Sequence, residues 1–320
     1  MSVAFVFPGQ GSQKVGMGRA WADRFAESRA AFEEADATLG ESLSGLCFAG
    51  PPEELQLTFN TQPAILTASI AIERVLSSRL ESSGLPAPVL VAGHSLGEYT
   101  ALVAAGVLTF ADAVRLVRIR GRLMQEAVPL GVGAMAAILG LDVASVEAVA
   151  REAASAEECC AVANYNSPEQ TVIAGHAAAV ERAMGLAKQR GAKRALALPV
   201  SAPFHSPLMA PARAGLMPHL EATRFADPRM PVVSNVDAAA VTEGDAARDA
   251  LIRQVDGPVR WVESVRWMAG AGGISTFVEV GPGGVLTGLG KRIADSSSWI
   301  SLQEPEQLDE VVAKLIASAN

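Results

Sequence analysis

Cysteine is scarce. Cys47, Cys159 and Cys160 are the only three in 320 residues, an odd count with two adjacent. Such a set builds neither a disulfide framework nor a CxxC metal site, and a reducing cytoplasm is its simplest setting. Positive charge is also in short supply: 26 Lys and Arg against 34 Asp and Glu leave a net charge of -8 and a pI near 5.2. That balance argues against nucleic acid or anionic lipid as a main partner. No apolar run approaches the roughly 20 residues of a membrane span. Met1 to Phe7 passes at once into Pro8-Gly9 rather than into the core of a signal peptide. Repeats and low-complexity segments are missing as well.

Half the residues are hydrophobic and 19% are charged, the composition of a folded protein. The length suits a large domain carrying a smaller one. Val3-Ala4-Phe5-Val6-Phe7 reads as a buried strand ending at Pro8-Gly9, and Pro88 to Ala92 as a second. Between them, residues 16 to 83 carry helical patterns, with Pro63 near the start of a stretch that runs to Arg79. The second strand leads into Gly93-His94-Ser95-Leu96-Gly97 and an apolar helix from about Leu96 to Val107. Thr109 and Asp112 predict a capping box for a further helix, which Pro129 and Gly131 terminate.

Residues 132 to 200 change character. Strand patterns at Ala134–Leu139, Cys160–Asn164, Thr171–Ala174 and Lys193–Val200 are separated by helical ones at Val143–Ala154 and Ala177–Arg190. The order β-α-β-β-α-β predicts a small ferredoxin-like domain, inserted as residues 129–200 into a larger α/β domain made of 1–128 and 201–320. Strands at Pro231–Asn235 and Ser275–Val280 complete the larger domain, the latter entering Gly281-Pro282-Gly283-Gly284.

Strand, Gly-x-Ser-x-Gly, then helix is the context in which this pattern marks a nucleophile elbow. The sharp turn brings backbones together, so side chains at Gly93 or Gly97 would clash. It leaves the Ser95 hydroxyl at a helix N-terminus, where backbone NH groups, Leu96 first among them, favour an oxyanion.

A serine nucleophile needs a base, and four histidines are on offer. His94 adjoins the nucleophile and packs structurally, His176 opens a helix where solvent exposure is expected, and His219 lies in a polar helical stretch. His205 sits in Ser201-Ala202-Pro203-Phe204-His205-Ser206-Pro207, where the chain re-enters the large domain and a cleft between domains is expected. Position alone makes it a candidate base and leaves the choice open. Arg120 falls in the apolar stripe Ala113, Leu116, Val117, Leu123, Met124 and Ala127 of its helix. A buried guanidinium should meet an acid. Either a structural salt bridge or a substrate carboxylate, gripped by two parallel hydrogen bonds, meets that need.

Phe7-Pro8-Gly9-Gln10-Gly11-Ser12-Gln13, the Gly-His-Ser-Leu-Gly-Glu elbow, Thr61-Gln62-Pro63-Ala64, Arg120-Gly121, His205, Asn235-Val236-Asp237 and Gly281-Pro282-Gly283 stand in this order along nearly the whole chain. Together they resemble the malonyl-CoA:acyl carrier protein transacylases of fatty-acid and polyketide synthesis. The resemblance implies an α/β-hydrolase-like large domain with a parallel sheet around the inserted ferredoxin-like one. It makes Ser95 the nucleophile, His205 its base, Arg120 the clamp for the malonyl carboxylate, and the NH groups of Gln10 and Leu96 the oxyanion hole. Gln62 and Phe204 would line the pocket, and the backbone carbonyl of Gln254 would orient His205. Asp256-Gly257-Pro258 departs from the more usual Asn-Pro beside that carbonyl. In related polyketide acyltransferases, a phenylalanine before the histidine accompanies malonyl over methylmalonyl selection.

The resemblance further implies malonyl-CoA and acyl carrier protein as partners, ping-pong transfer, no metal or resident cofactor, and a cytoplasmic monomer. Lys188, Arg190, Lys193, Arg194, Lys291 and Arg292 are candidates for docking an acidic carrier protein, although solvated helix ends account for them too. The rivals are a serine esterase, with Asp112 or Asp142 as a third member, an acyl-enzyme hydrolase or acyltransferase of other specificity, and a catalytically silent carrier-binding module. Only two strands precede Ser95, which tells against the esterase.

Overall fold

A computed structural model of the chain describes residues 2–200 and 202–319. Its strands, in chain order, are β1 (Val3–Phe7), β2 (Leu90–Gly93), β3 (Gly133–Leu139), β4 (Cys160–Ser167), β5 (Gln170–His176), β6 (Arg194–Ala197), β7 (Val232–Val233), β8 (Ala240–Val241), β9 (Thr276–Val280) and β10 (Ser298–Leu302). They form two sheets. The larger has the order β10-β9-β1-β2-β7-β8, parallel except where β8 turns back on β7.

β1 lies at its centre, with Ala4 opposite Leu90 of β2 on one side and Phe277 of β9 on the other. Its alternation divides the core. Val3, Phe5 and Phe7 pack with Ile65, Ile72 and Leu76 of the helix Thr58–Ser82, while Ala4 and Val6 face Trp261 and Phe277. A strand buried on both faces has to be apolar throughout, which is why β1 reads as an unbroken run.

The smaller sheet is antiparallel in the order β4-β5-β3-β6, and the helices Val143–Ala153 and Ala177–Gln189 connect its strands. Ile138 and Ile173 pack with Val146 and Val180 of those helices in a core of their own. Element order and sheet order together are those of a split βαβ unit, so the ferredoxin-like expectation holds. Of the expected boundary at 200/201, Ser201 lies outside the described residues.

Several elements differ from expectation at their ends. The helix with Pro63 begins at Thr58, so the proline sits inside it, and the helix after the elbow stops at Ala104. β6 and β7 are shorter than their apolar patterns. The Thr109 hydroxyl accepts the Asp112 NH, as an N-cap should, but the Asp112 carboxylate takes the Thr109 hydroxyl rather than its backbone NH. The capping box is therefore half formed.

Candidate active site

Ser95 sits just past the C-terminal end of β2, the edge at which open α/β sheets bind ligands. Its backbone is left-handed, with φ 52°. A non-glycine residue there costs about 1–3 kcal/mol and persists only where the surroundings hold it. The two elbow glycines make that turn possible: a Cβ on Gly93 would lie 1.9 Å from the Gly97 carbonyl, and one on Gly97 would lie 2.1 Å from the Phe7 oxygen. Gly93→Ala is accordingly expected to cost upwards of about 3 kcal/mol in denaturant unfolding, because backbone rather than a movable side chain is in the way. A loss below about 1 kcal/mol would contradict this packing.

His205 also has a left-handed backbone, φ 56°, and is buried. Its Nε2 lies 2.7 Å from Ser95 Oγ. Its Nδ1 lies 2.9 Å from the Gln254 carbonyl and 3.1 Å from that of Gly257. Gln254 ends the helix Gly244–Gln254, where main-chain carbonyls have no partner within the helix. These two acceptors hold the proton on Nδ1 and turn the lone pair of Nε2 toward the hydroxyl. With Asp256-Gly257-Pro258 in place, the Gln254 carbonyl thus still meets His205, and the Gly257 carbonyl lies beside it.

Burial, reinforced by the nearby Arg120 charge, pushes the His205 imidazole down to about 3 from an ordinary 6.5. A lowered value keeps the ring neutral, hence competent as a base, as pH falls through the usual histidine range. The rate at which a neutral fluorophosphonate labels Ser95 should therefore hold level from pH 8 to below 6.5, its acid limb lying lower still. A limb centred at 6.5 in stopped-time labelling would contradict a desolvated base.

The other histidines stand apart from this pair. His94 Nε2 pairs with Asn166 Oδ1 at 2.8 Å and its ring meets Trp261 edge-on. It therefore packs structurally, tying the elbow to the small domain. His219 is exposed. His176 corrects its expectation: it is half-buried, and its Nδ1 accepts the Cys159 NH at 3.0 Å. β4 pairs with β5 at that point, which shields the ring.

Arg120 projects from the buried face of the helix Phe110–Glu126 and is 1% exposed. Gly121 beside it allows the close approach of the helix Thr58–Ser82, since a Cβ there would lie 2.6 Å from the Phe59 Cα. Gln62 is thereby brought into reach. Nη1 donates to Gln62 Oε1 at 2.8 Å, and Nη2 donates to Gln254 Oε1 at 2.8 Å and to Ser95 Oγ at 3.1 Å. The acid expected beside this arginine is not in contact with it: every acceptor of its guanidinium among the described residues is a neutral oxygen, and Nε has none. The Tyr99 ring, 5.4 Å away, is its other neighbour.

Ser95, His205, Arg120, Gln62, Gln10 and Leu96 all border one cavity of about 120 Å³, with Phe204 and Met135 as apolar walls. Met135 belongs to β3, so the small domain closes the site over the large one. Leu96 opens its helix, so its NH is one of the amides without an intrahelical acceptor. The six basic residues Lys188, Arg190, Lys193, Arg194, Lys291 and Arg292 are exposed, but they form two groups. The first four surround β6 at one edge of the small sheet, Arg190 pairing with Glu152, and the last two end the helix Val285–Ile293, which packs against β4 at the other edge.

Asn235 and Glu98 stand in the motifs quoted above, but the sequence assigned neither of them a role behind the site. Asn235 Oδ1 accepts the Ser95 NH at 2.6 Å while its Nδ2 donates to the Gly93 carbonyl at 2.7 Å. Glu98, 2% exposed, accepts from the Asn235 NH and from Gln254 Nε2. Burial pushes its carboxyl up to about 7, against the opposing pull of those two bonds. A lone acid in the apolar helix Leu96–Ala104 was the available signal. The Gly281-Pro282-Gly283 motif is structural: a Cβ on Gly281 would lie 2.4 Å from Ser69 Oγ and 2.8 Å from Pro8.

Comparison with known proteins accords with this geometry. The chain matches the acyl transferase domain family over residues 4–317. The malonyl CoA-acyl carrier protein transacylase of Escherichia coli K12 is 54% identical over 305 residues, which cover 95% of this chain and 97% of that one. The crystal structure of an acyl carrier protein S-malonyltransferase from Vibrio cholerae superposes with a TM-score of 0.93 at 48% identity, covering 97% of this chain and 100% of that one. A malonyl-transacylase solved in complex with its type II PKS acyl-carrier protein also gives 0.93, at 47% identity over 98% of this chain and 100% of its own. Matched from end to end by a family of such enzymes, and carrying a serine, a histidine and an arginine around one cavity, the chain belongs to the acyl transferase domain family.

Proposed function

We propose that this enzyme moves a malonyl group from malonyl-CoA to the phosphopantetheine thiol of an acyl carrier protein, through a malonyl ester on Ser95. Arg120 carries the reading. A buried guanidinium held by neutral oxygens, with Nη2 3.1 Å from the Ser95 hydroxyl, leaves its charge for a carboxylate that arrives with the acyl group. A free carboxylate a short reach from the reacting carbonyl is what distinguishes malonyl from acetyl.

In the first half-reaction His205 Nε2 takes the Ser95 proton as Oγ attacks the thioester carbonyl. The developing oxyanion falls to the NH groups of Gln10 and Leu96. The carbon–sulfur bond then breaks, and the departing thiolate of coenzyme A takes the proton back from His205. In the second, the carrier thiol gives its proton to His205 and attacks the ester, and Ser95 leaves reprotonated. A malonyl carboxylate on Arg120 also offsets the charge that depresses His205, so the base strengthens when the acidic substrate is seated.

Nucleophile, base and oxyanion donors all come from the chain, so the proposed cycle calls on no metal or resident cofactor. Phe204 beside the cavity suits malonyl rather than a branched acyl group. The three cysteines are free, and no helix among the described residues is long and apolar enough to cross a membrane. Both features accord with a cytoplasmic setting.

Incubation with labelled malonyl-CoA, followed by addition of holo carrier protein, tests the proposal. The expected result is an adduct on Ser95 that passes to the carrier. An adduct lost to water instead would make the protein a hydrolase, and no adduct would make it a binding module.

A further inference from the structure

Glu98 takes no part in the cycle described above, yet its Oε2 sits where two supports of that cycle meet. It accepts the Asn235 backbone NH at 3.0 Å and Gln254 Nε2 at 2.8 Å. Both partners are fully buried, so each bond has no solvent alternative. From Asn235, the side-chain Oδ1 receives the Ser95 NH. From Gln254, Nε2 also donates to the Ser95 carbonyl at 2.9 Å, while Oε1 receives Arg120 Nη2. The strained Ser95 peptide is thus gripped at its NH and its carbonyl by two side chains that one carboxylate oxygen ties together.

An amide side chain has two nearly isosteric orientations, with donor and acceptor exchanged. Glu98 distinguishes them here. With Nε2 bonded to Glu98 and to the Ser95 carbonyl, Oε1 has to face Arg120. Rotated by half a turn, Gln254 would aim its NH2 at the guanidinium and an oxygen at two other oxygens. Glu98 therefore accounts for an acceptor at Arg120 in a site where no carboxylate touches the guanidinium. When ionised, it also places a negative charge one side chain away, which lowers the cost of burying Arg120 without occupying it.

We propose that Glu98 is a positioning residue for acyl selection: through Gln254 and Asn235 it fixes where the Arg120 guanidinium and the Ser95 hydroxyl stand relative to each other. The inference rests on the malonyl-transfer reading above. Misplacement on the order of 1 Å at a catalytic constellation costs roughly 10²-fold, and here the loss should fall on substrates that use Arg120.

Pre-steady-state loading of Ser95 from malonyl-CoA and from acetyl-CoA, read by intact-protein mass spectrometry, tests it in the full-length enzyme and three variants. Glu98→Ala should narrow the malonyl-to-acetyl ratio of loading rates roughly tenfold, by weakening malonyl loading more. Glu98→Asp, whose oxygen falls short of one of the two donors, should narrow it in the same direction. Glu98→Gln, which sets an amide oxygen at the same place, should recover the preference that Glu98→Ala loses.

An unchanged ratio in Glu98→Ala, or rates that fall equally for both substrates along with the melting temperature, overturns the proposal. If Glu98→Ala does not fold, an unchanged ratio in Glu98→Asp does so. A parent enzyme without a malonyl preference would instead overturn the functional reading itself.

Discussion

His205→Ala is expected to slow the acylation of Ser95 by malonyl-CoA roughly 10²–10⁴-fold, the range over which a positioned general base contributes. The effect should appear in the loading rate and not in substrate binding, because His205 faces the nucleophile while Arg120 faces the substrate carboxylate. Its contact with Ser95 Oγ is already short, at 2.7 Å, and the two carbonyls on Nδ1 leave Nε2 as the atom that accepts. No second imidazole stands ready to replace it, since His94 Nε2 is engaged with Asn166. Single-turnover loading followed by intact-protein mass spectrometry gives the rate directly. A drop of less than tenfold would assign the base elsewhere.

Arg120→Ala should lower malonyl loading by roughly 10²–10³-fold, the equivalent of about 3–4 kcal/mol for a pair of charge-assisted hydrogen bonds removed from a buried site. Acetyl loading should fall far less, since an acetyl group offers the guanidinium nothing to hold. The contrast separates a clamp from a scaffold: equal losses on the two substrates would return Arg120 to a structural role. Arg120→Lys should recover little of the malonyl rate. An ammonium cannot span Gln62 Oε1 and Gln254 Oε1 while presenting a planar fork to a carboxylate.

Much of the scaffold is legible in the chain because its causes are local. The run Val3-Ala4-Phe5-Val6-Phe7 ends as β1 at the expected residue, since its side chains are buried on both faces and Pro8 cannot continue the ladder. The inserted domain follows in the same way, its alternation of periods announcing each element in turn. β8 and β10 escaped notice. β8 is a two-residue strand at the sheet edge, and β10, Ser298-Trp299-Ile300-Ser301-Leu302, takes its place only because β9 offers a parallel partner.

The elbow was the most legible feature of the site, since Gly93 closes on Gly97 within the motif itself, whereas the close approach of Gly97 to Phe7 is set by the pairing of β1 with β2. His205 was different: position in the loop that re-enters the large domain made it the candidate base but left the choice open, and the family resemblance decided it. Arg120 was recognised as buried, because an arginine in an apolar stripe has nowhere else to go. Of the two partners expected for it, a salt bridge within the protein is not formed, and Gln62 and Gln254 hold the guanidinium instead.

The sequence by itself determined the strands that lead to the nucleophile, the turn that exposes it, and the need for a partner to a buried guanidinium. Only the tertiary structure decided what that partner is. Gln62 and Gln254 stand 58 and 134 residues from Arg120 along the chain. Glu98 reaches the same site through a glutamine amide rather than by contact. Helical periodicity states that a side chain is buried, but the groups it meets are set by how separate helices pack. That packing is non-local, so no stretch of sequence around Arg120 contains it.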